Sequence, residues 1–389
     1  MKILHVITSL KIGGAEVALH NLLESWQSQH DRKHDHAVIF IYGGPFVEKI
    51  RALGVPVYYL KGLISPYDLL SFYRLFTLVK TIKPDVIHSA LWSANIMARI
   101  VSWWYKIPVI CDLHGDCAYH GAIRNFFERA TLFVPARFVA VAHSVERSFV
   151  QQFCTNKNVL RNTIVIQNGI DSEKLRQKAR LGPLSRQTLG FSDSDFVIGS
   201  VGRLHAIKRY DLLIRSFAQF SKIVISSGWM RMPRLCLVGD GPERLSLEKA
   251  AHECSVSKQV FFAGAKEDAY RYYNLFDCFA LSSQTEGLSI ALLEALSFFL
   301  PVIITHNSLL HDVITDGIHG ILLPVNSFNG ASLESKIASA FLLFYKEKGL
   351  LDSMRKSNEM LMQEKFCIRA TRTQYDNLYG KLYGELNKR

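Results

Sequence analysis

The stretch Glu286–Glu294 reads EGLSIALLE and carries two carboxylates, one at each end. A short apolar strand, 277–281, precedes it, and an apolar helical run, 288–300, follows Gly287. The spacing is close to two helical turns, so the second carboxylate lies up to about 12 Å deeper and can face the same side. A helix mouth attracts phosphate through its free N–H groups and partial positive charge. Carboxylates beside that mouth suit sugar hydroxyls, so the stretch predicts a site for a sugar nucleotide.

Glu294 has a simpler alternative interpretation, because a glutamate within a helix often lies on a solvated stripe. Its neighbours in the sequence are Leu292, Leu293, Ala295 and Leu296. Since the flanks are apolar on nearly every side, little solvent-facing stripe is left. A buried carboxylate without a partner is unfavourable, so we expect Glu294 to contact a ligand.

The length and composition predict two globular domains. A chain of 389 residues is too long for one ordinary core, and 49% of the residues are hydrophobic against 21% charged. The formal charge of +12 is spread along the chain. It lacks the dense basic run of a nucleic-acid-binding arm, so we expect no nucleic-acid partner. A basic protein still favours anionic substrates or anionic membrane surfaces.

Cysteine usage and hydropathy indicate a cytoplasmic protein. The seven cysteines are scattered and have no CxxC spacing, which argues for a reducing compartment and against disulfides or a zinc site. No apolar run reaches the ~18 residues of a membrane span, because Glu294 and Pro301 interrupt the best candidate. The apolar run at the N-terminus is short and is interrupted at Lys11, which is typical of a first strand rather than of a signal peptide.

Two aromatic segments in the first half suggest a peripheral contact with the inner face of the plasma membrane. Trp103 and Trp104 end one predicted helix beside Lys106, and the segment 124–129 mixes two phenylalanines with two arginines. Aromatic and basic side chains together suit the headgroup boundary. The alternative is that these aromatic residues pack in the core.

Short β-branched runs alternate with helical stretches along the whole chain. We predict strands at 2–7, 37–42, 55–59, 85–88, 108–113, 138–142, 163–166, 196–202, 235–238, 259–262, 277–281, 301–304 and 320–323, with helices such as 15–26, 69–82, 93–104, 209–222 and 243–253. This alternation is typical of parallel sheets covered on both faces. The turn 167–171 and the basic stretch 174–180 separate two such series. The crevice between two doubly wound domains is then the expected ligand site.

Three glycine-containing loops follow predicted strands. Gly14 belongs to a Gly-Gly pair that opens a helix, where a backbone can approach a ligand closely. Arg203 and Lys208 lie on the loop after the strand that begins at Phe196, where they can clamp a diphosphate or simply be solvated cations. The turn 239–242 resembles half of a dinucleotide-binding fingerprint, but an arginine occupies the third glycine position. We therefore expect neither NAD nor a P-loop nucleotide here.

Two further patterns have weaker interpretations. Asp193 and Asp195 match a metal-binding DxD pattern, but they lie at the amino end of a strand, so we interpret them as a solvated turn. His114 follows strand 108–113 and points toward the predicted crevice, although a histidine satisfied by backbone groups fits the spacing better. Asp116 could orient it or be solvated. His88, at the end of strand 85–88, is a similar and weaker candidate.

Taken together, these motifs resemble those of retaining glycosyltransferases of the GT-B fold, in family four. The resemblance covers nearly the whole chain, in order. The matching segments are Gly13-Gly14-Ala15-Glu16, Leu113-His114-Gly115, Asn168-Gly169-Ile170-Asp171, Gly202-Arg203-Leu204 with Lys208, Gly239-Asp240-Gly241-Pro242, and the pair Glu286 and Glu294. Each is modest alone, but six in sequence are specific.

The resemblance implies an α/β fold of two doubly wound Rossmann-like domains that face each other across a cleft. It assigns 1–170 to the acceptor side and 171–371 to the sugar-nucleotide donor, with a last helix, about 372–389, that packs back on the first domain. Arg203 and Lys208 would neutralise the donor diphosphate and the growing charge of the leaving group.

Other roles also come from the resemblance. The backbone N–H groups of Gly287, Leu288 and Ser289 would assist the two cations. Glu286 would hold hydroxyls of the donor sugar and Glu294 those of the ribose. His114 would approach the transferred sugar, and Gly14 would shape the pocket near the diphosphate.

The implied reaction is metal-independent hexosyl transfer with retention, from a UDP-linked sugar as co-substrate to a glycan or lipid-linked acceptor in bacterial surface polysaccharide synthesis. No cofactor or metal site is expected. The alternatives are a nucleotide-sugar 2-epimerase of related fold and a catalytically inactive scaffold. Loss of Arg203, Lys208 or Glu294 would have favoured the scaffold, and all are present.

Overall fold

The computed structural model describes residues 1–28, 33–61, 69–115, 121–134, 136–306, 313–325 and 332–386. The chain divides into two compact units. Unit 1 comprises Met1–Gly169 together with Ile368–Arg389, and unit 2 comprises Ile170–Cys367. The segment that contains Asp116 lies outside the described residues.

Strands and helices alternate as the sequence predicts. The strands are β1 (Lys2–Ser9), β2 (Asp35–Tyr42), β3 (Val57–Tyr59), β4 (Val86–Ala90), β5 (Val109–Leu113), β6 (Ala136–Ala140), β7 (Thr163–Val165), β8 (Phe196–Val201), β9 (Pro233–Val238), β10 (Val260–Gly264), β11 (Cys278–Leu281), β12 (Val302–His306) and β13 (Gly320–Pro324). The helices are α1 (Gly14–Gln27), α2 (Phe46–Ala52), α3 (Leu69–Ile82), α4 (Trp92–Tyr105), α5 (Ala122–Thr131), α6 (His143–Gln152), α7 (Lys157–Asn162), α8 (Ser172–Leu181), α9 (Tyr210–Ser226), α10 (Arg244–Glu253), α11 (Ile290–Ser297), α12 (Leu333–Lys346), α13 (Lys348–Glu364) and α14 (Ile368–Leu386).

Each unit contains one parallel sheet. The order is β3-β2-β1-β4-β5-β6-β7 in unit 1 and β10-β9-β8-β11-β12-β13 in unit 2. These orders confirm the predicted α/β class with two doubly wound sheets. In both sheets the order reverses beside the first strand, between β1 and β4 and between β8 and β11. Ligands of such sheets bind at the carboxyl ends of the strands that flank this reversal.

The hydrophobic cores lie between the sheets and their helices. In unit 2, phenylalanines of α9 and α12, among them Phe217 and Phe341, pack on apolar side chains of β8 and β9. In unit 1, the last helix contributes Tyr375 and Tyr379 to the core that α1 and the central strands form. That helix begins at Ile368, four residues before the expected position.

Two local expectations were wrong. The helix expected at 288–300 begins at Ile290, because Ser289 keeps an extended backbone with φ −66° and ψ 120°. It ends at Ser297, and Phe299 two residues later has a left-handed φ of 60°, which stops an α-helix. His88 lies within β4 and not at its end, since the strand continues to Ala90.

Candidate functional site

The loop after β8 carries the two predicted cations of unit 2. It continues into a short 3₁₀ turn, Ala206–Lys208, in which the N–H of Ile207 donates to the ring of His205 at 3.3 Å. Lys208 is partly buried. Arg203 is exposed, and its guanidinium has no ion-pair partner in the ranges that the structure covers. This loop therefore presents at least one uncommitted cation at the carboxyl end of β8.

The glycine-containing turn after β9 supports this loop. A Cβ atom at Gly239 would lie 1.9 Å from the carbonyl oxygen of Gly202, and one at Gly241 would lie 2.2 Å from that of Leu204. The backbone N–H of Leu204 also donates to Asp240 O at 3.0 Å. Only glycine permits such an approach, so this turn fixes the backbone that carries Arg203 and Lys208.

Lys208 and Glu286 are brought into direct contact, although 78 positions separate them. The Lys208 Nζ donates to Glu286 Oε1, and Ser283 Oγ donates to the same oxygen at 2.7 Å. The carboxylate is mostly buried, with 14% of its side chain exposed. Two residues predicted from separate motifs thus form one ion pair where the strand order reverses. Ser283 belongs to none of the predicted motifs, although its position after β11 could have indicated a role.

The three predicted backbone donors lie in the loop before α11. Gly287, Leu288 and Ser289 are all buried, and Ser289 is the N-cap residue. The first hydrogen bond of the helix runs from the N–H of Leu293 to Ser289 O at 3.2 Å. The N–H groups of the first turn are therefore not used within the helix, so the expected helix mouth is present but begins at Ile290.

Glu294 has a protein partner that the sequence did not indicate. Tyr273 is fully buried, and its hydroxyl donates to Glu294 Oε2 at 2.8 Å. Although Glu294 retains partial exposure, desolvation by the surrounding protein raises the pKa of its carboxyl to about 7, and the Tyr273 hydrogen bond opposes this rise. The premise that this carboxylate lacks a partner was therefore wrong. Nothing in the spacing of Tyr273 and Glu294 reveals the contact.

In unit 1, His114 lies beside a cavity of about 20 Å³, the size of one water molecule. The polar side chains that line the cavity are His5, His88, Asp112, His114, Asn168, Thr371 and Tyr375. The buried Nε2 of His114 has no hydrogen-bond partner within the described part of the chain. Burial lowers the pKa of His114, and the charge of Asp112 opposes this shift. His114 is therefore a buried imidazole that is disposed to stay neutral.

Asp112, two residues before His114, is hydrogen-bonded to a tyrosine and a histidine of unit 1, and it acts on His114 through its charge. It accepts a hydrogen bond from Tyr375 at 3.0 Å, and its second oxygen lies 2.7 Å from His88 Nε2. The other ring nitrogen of His88 lies 2.6 Å from the hydroxyl of Tyr379. This network ties α14 to the strands that lead to His114. The alternation of side chains along β5 places Asp112 and His114 on one side and could have indicated the pair.

A further histidine cluster, His5, His34, His36 and His88, lies on the same side of the sheet. The rings of His5 and His36 are in contact, with 3.0 Å between Nε2 and Nδ1. His34 Nε2 lies 3.3 Å from Asp376 of α14. Burial is the main cause that lowers the pKa of His36 to about 3, and it also lowers the pKa of His5. The imidazoles of His5 and His36 are therefore neutral near pH 7.

Gly14 is the first residue of α1 and is exposed. Its predecessor Gly13 is extended and supplies no side-chain cap. The buried carboxylate of Glu16, in the first turn of α1, lies beside Gly13 and accepts from its own backbone N–H, so a side chain covers part of this helix start. The approach of a ligand to Gly14 stays a prediction. Gly14 and His114 belong to unit 1, whereas Arg203, Lys208, Glu286 and Glu294 belong to unit 2.

The DxD pattern has a structural role, but its second member is not solvated as expected. Asp195 is buried, pairs with Arg234 Nε at 2.8 Å, and accepts from the N–H of Ser192 at 3.0 Å. Asp193 accepts from Gln187 at 2.6 Å. Both carboxylates therefore stabilise the turn that immediately precedes the first residue of β8.

Helix α5 turns its apolar stripe outward. Ile123, Phe126 and Phe127 recur at helical spacing and are exposed, with 66% for Phe126. The inward side carries Glu128, which forms a buried ion pair of 2.7 Å with Arg99 of α4. A buried charged pair beneath an exposed apolar stripe reverses the usual pattern of a surface helix.

Exposed aromatic residues also lie at the end of α4. Trp103 and Trp104 are 56% and 65% exposed, so the alternative that they pack in the core was wrong. The Trp103 ring contacts that of Phe133, which is also exposed. We call the set of exposed residues Trp103, Trp104, Ile123, Phe126, Phe127 and Phe133 the aromatic surface. In the described residues, no helix is both long and apolar enough to cross a membrane.

Comparison with known proteins is consistent with this geometry. Residues 12–174 match the family described as Glycosyltransferase Family 4, and residues 183–347 match Glycosyl transferases group 1. A UDP-Gal:alpha-D-GlcNAc-diphosphoundecaprenol alpha-1,3-galactosyltransferase of Escherichia coli is 23% identical over 319 residues, which cover 79% of this chain and 80% of that enzyme. An alpha-monoglucosyldiacylglycerol synthase of Acholeplasma laidlawii is 22% identical over 359 residues, 85% of this chain and 86% of that enzyme.

Among solved structures, HepE of Anabaena in complex with UDP-glucose superposes with a TM-score of 0.80 at 20% identity, over 98% of this chain and all of that one. This likeness confirms the predicted fold. The chain therefore belongs to the group 1 glycosyltransferases, as its motifs predicted, and it is a glycosyltransferase with the two-domain GT-B architecture.

Proposed function

We propose that this protein transfers a hexosyl group from a UDP-sugar to a glycan or lipid-linked acceptor, with retention and without a metal ion, in the synthesis of bacterial surface polysaccharide or glycolipid. The observation that carries this proposal is the Lys208–Glu286 pair at the carboxyl ends of β8 and β11. It sets a phosphate-binding cation beside a carboxylate that accepts sugar hydroxyls.

The donor is assigned to unit 2. Arg203 and Lys208 bind the diphosphate, together with the N–H groups of the segment Gly287–Ser289 and the first turn of α11. Glu286 accepts from hydroxyls of the transferred sugar, and Glu294 accepts from the ribose. Two observations support these roles: Arg203 is exposed, and the side chains of Lys208 and Glu286 are in direct contact.

Retention follows from attack on the face that the leaving group vacates. The bond from the anomeric carbon to the phosphate oxygen breaks, and its electron pair stays on the diphosphate. The acceptor hydroxyl bonds to the same face of the carbon, and the departing phosphate oxygen takes its proton. Arg203 and Lys208 stabilise the charge that grows on the diphosphate. His114 is assigned to the transferred sugar and Gly14 to the space near the diphosphate, the roles that the resemblance implies.

Metal independence is proposed because cationic groups of the chain can meet the charge of the diphosphate. Asp193 and Asp195 are engaged with Gln187 and Arg234 at the amino end of β8, which supports the view that the DxD pattern is structural.

The acceptor is assigned to unit 1, at the inner face of the plasma membrane. The Escherichia coli relative is named for a diphosphoundecaprenol-linked substrate and the Acholeplasma relative for a diacylglycerol product. The aromatic surface supports a peripheral contact, because exposed Trp and Phe beside Arg124 and Arg129 suit an anionic bilayer. Such a contact would deliver a lipid-linked acceptor laterally.

The test is mass spectrometry of reactions that contain a UDP-sugar and either a polyprenyl-diphosphate-linked sugar or a diacylglycerol. We expect an acceptor that gains the mass of the donor sugar, with release of UDP. Because an epimer has the same mass as its substrate, proton NMR of the recovered sugar nucleotide checks for isomerisation. An isomer formed without UDP release would indicate an epimerase, and binding without any product would indicate a scaffold.

A further inference from the structure

Two adjacent serines, Ser282 and Ser283, lie where β11 ends. Both are buried, and buried hydroxyls require hydrogen-bond partners. Each has a partner within unit 2, and the two partners belong to different parts of the candidate donor site. Thr305 of the next strand donates to the carbonyl oxygen of Ser283 at 3.0 Å and so fixes the serine backbone.

Ser282 holds the backbone of the loop that carries Lys208. Its Oγ lies 2.8 Å from the carbonyl oxygen of Lys208 and 2.9 Å from that of Arg209. Arg209 has a left-handed φ of 50°, an unfavourable conformation for a residue with a side chain. The Ser282 hydroxyl therefore stabilises the turn that carries Lys208, and both of these acceptors are backbone oxygens.

Ser283 instead holds a side chain. Its hydroxyl donates to Glu286 Oε1 at 2.7 Å, and Lys208 Nζ binds that same oxygen. Among the described residues Glu286 Oε2 has no hydrogen-bond partner, so this oxygen is available to a ligand hydroxyl. An ammonium group has three donors, so Lys208 keeps two for phosphate oxygens. The pair is thus preorganised for a sugar and a diphosphate at once.

We propose that Ser282 and Ser283 are positioning residues with separable tasks. Ser282 fixes the backbone of the loop whose Lys208 binds the diphosphate, and Ser283 fixes the Glu286 carboxylate that binds the sugar. The inference rests on the proposed function, because it assumes that unit 2 binds a sugar nucleotide. It predicts that loss of each hydroxyl affects different parts of the donor.

The experiment compares the binding of UDP and of UDP-glucose by calorimetry in the full-length protein. In Ser283→Ala the affinity for UDP-glucose falls about tenfold, the scale of one hydrogen bond to a charged group, while that for UDP changes less than about twofold. In Ser282→Ala both affinities fall by the same factor. The matched control is Ser216→Ala, which removes a buried hydroxyl that donates to Leu212 O within α9 and leaves both affinities unchanged.

A purely structural role would lower both affinities together in each serine variant. Equal losses for UDP and UDP-glucose in Ser283→Ala, or no loss in either variant, overturn the inference while the proposed function stands. A wild-type protein that binds neither ligand contradicts the proposed donor, and the inference falls with it. Circular dichroism of each variant checks that the fold is retained.

Discussion

Replacement of Glu294 by glutamine is expected to weaken donor binding and to remove its pH dependence. The carboxyl group of Glu294 is desolvated, which raises its pKa to about 7. One of its oxygens accepts from Tyr273, and the other is assigned to the ribose of the donor. Donor binding should therefore depend on a group that titrates near neutral pH.

The magnitude follows from the pKa. A carboxyl with a pKa of about 7 is ionised in about one tenth of molecules at pH 6 and about nine tenths at pH 8. If only the ionised form accepts from ribose hydroxyls, donor affinity falls about tenfold from pH 8 to pH 6. At pH 8, Glu294→Gln loses a hydrogen bond to a charged group, worth about 1.5–3 kcal/mol.

The assay is calorimetric titration with a UDP-sugar between pH 6 and pH 8. A sugar nucleotide is preferable to UDP, because a terminal phosphate has its own pKa of about 6. Tyr273→Phe is the companion variant. Since the Tyr273 hydroxyl lowers the pKa of Glu294, its removal should move the midpoint of the pH profile upward without flattening it.

Two results would refute this reasoning. A flat pH profile in the wild type would mean that Glu294 does not titrate in the donor site. A Glu294→Gln variant that keeps both the affinity and the pH profile of the wild type would remove Glu294 from the ribose site.

Four further predictions concern other parts of the molecule. Arg203→Ala and Lys208→Ala should each raise the activation free energy of transfer by about 2.7–4 kcal/mol, with a smaller loss of donor affinity, because charge on the diphosphate grows during bond cleavage. Turnover near that of the wild type would exclude the role of these two cations at the diphosphate. Transfer should survive EDTA, measured as product formed after chelation, and activity that returns only with Mg²⁺ or Mn²⁺ would reopen a metal-dependent mechanism. The protein should co-float with anionic liposomes at low salt, and Phe126→Ser with Phe127→Ser should abolish this; absence of flotation in the wild type would indicate a soluble acceptor. Unit 1 should lose stability as the pH falls from about 6.5 toward 3, by up to about 1.4 kcal/mol per pH unit for His36, because the unfolded chain binds a proton that the folded chain excludes. In urea denaturation at pH 7.5 and at pH 5, His36→Asn should lose less stability on acidification than the wild type. An equal loss in the two proteins would exclude His36 as the cause.

The fold could be predicted from the sequence because its signals are local. Each strand is a short β-branched run, and the helices between them require a parallel sheet. Gly239 and Gly241 could be placed in a turn after a strand, but their close approach to the loop of Arg203 depends on tertiary packing. The beginning of α11 was misplaced because the conformation of Ser289 is not encoded in hydropathy.

The candidate site was predicted in part. Lys208 and Glu286 were assigned to one ligand from two motifs, and the structure places their side chains in contact. Their roles stay predictions. Tyr273 could not be found, because a single buried tyrosine far from Glu294 in sequence gives no periodic signal. Trp103 was ambiguous for a related reason, since apolar residues on a helix do not reveal whether that side faces a core or the solvent.

The central claim is that the chain transfers a sugar with retention from the site around Lys208 and Glu286. The most direct measurement is proton NMR of the glycoside formed from UDP-glucose, whose sugar is α-linked. The account predicts a product whose anomeric proton has the small coupling of an α-linkage, with none formed by Lys208→Ala above background. A large coupling, typical of a β-linkage, would contradict retention, and undiminished product from the variant would contradict the site.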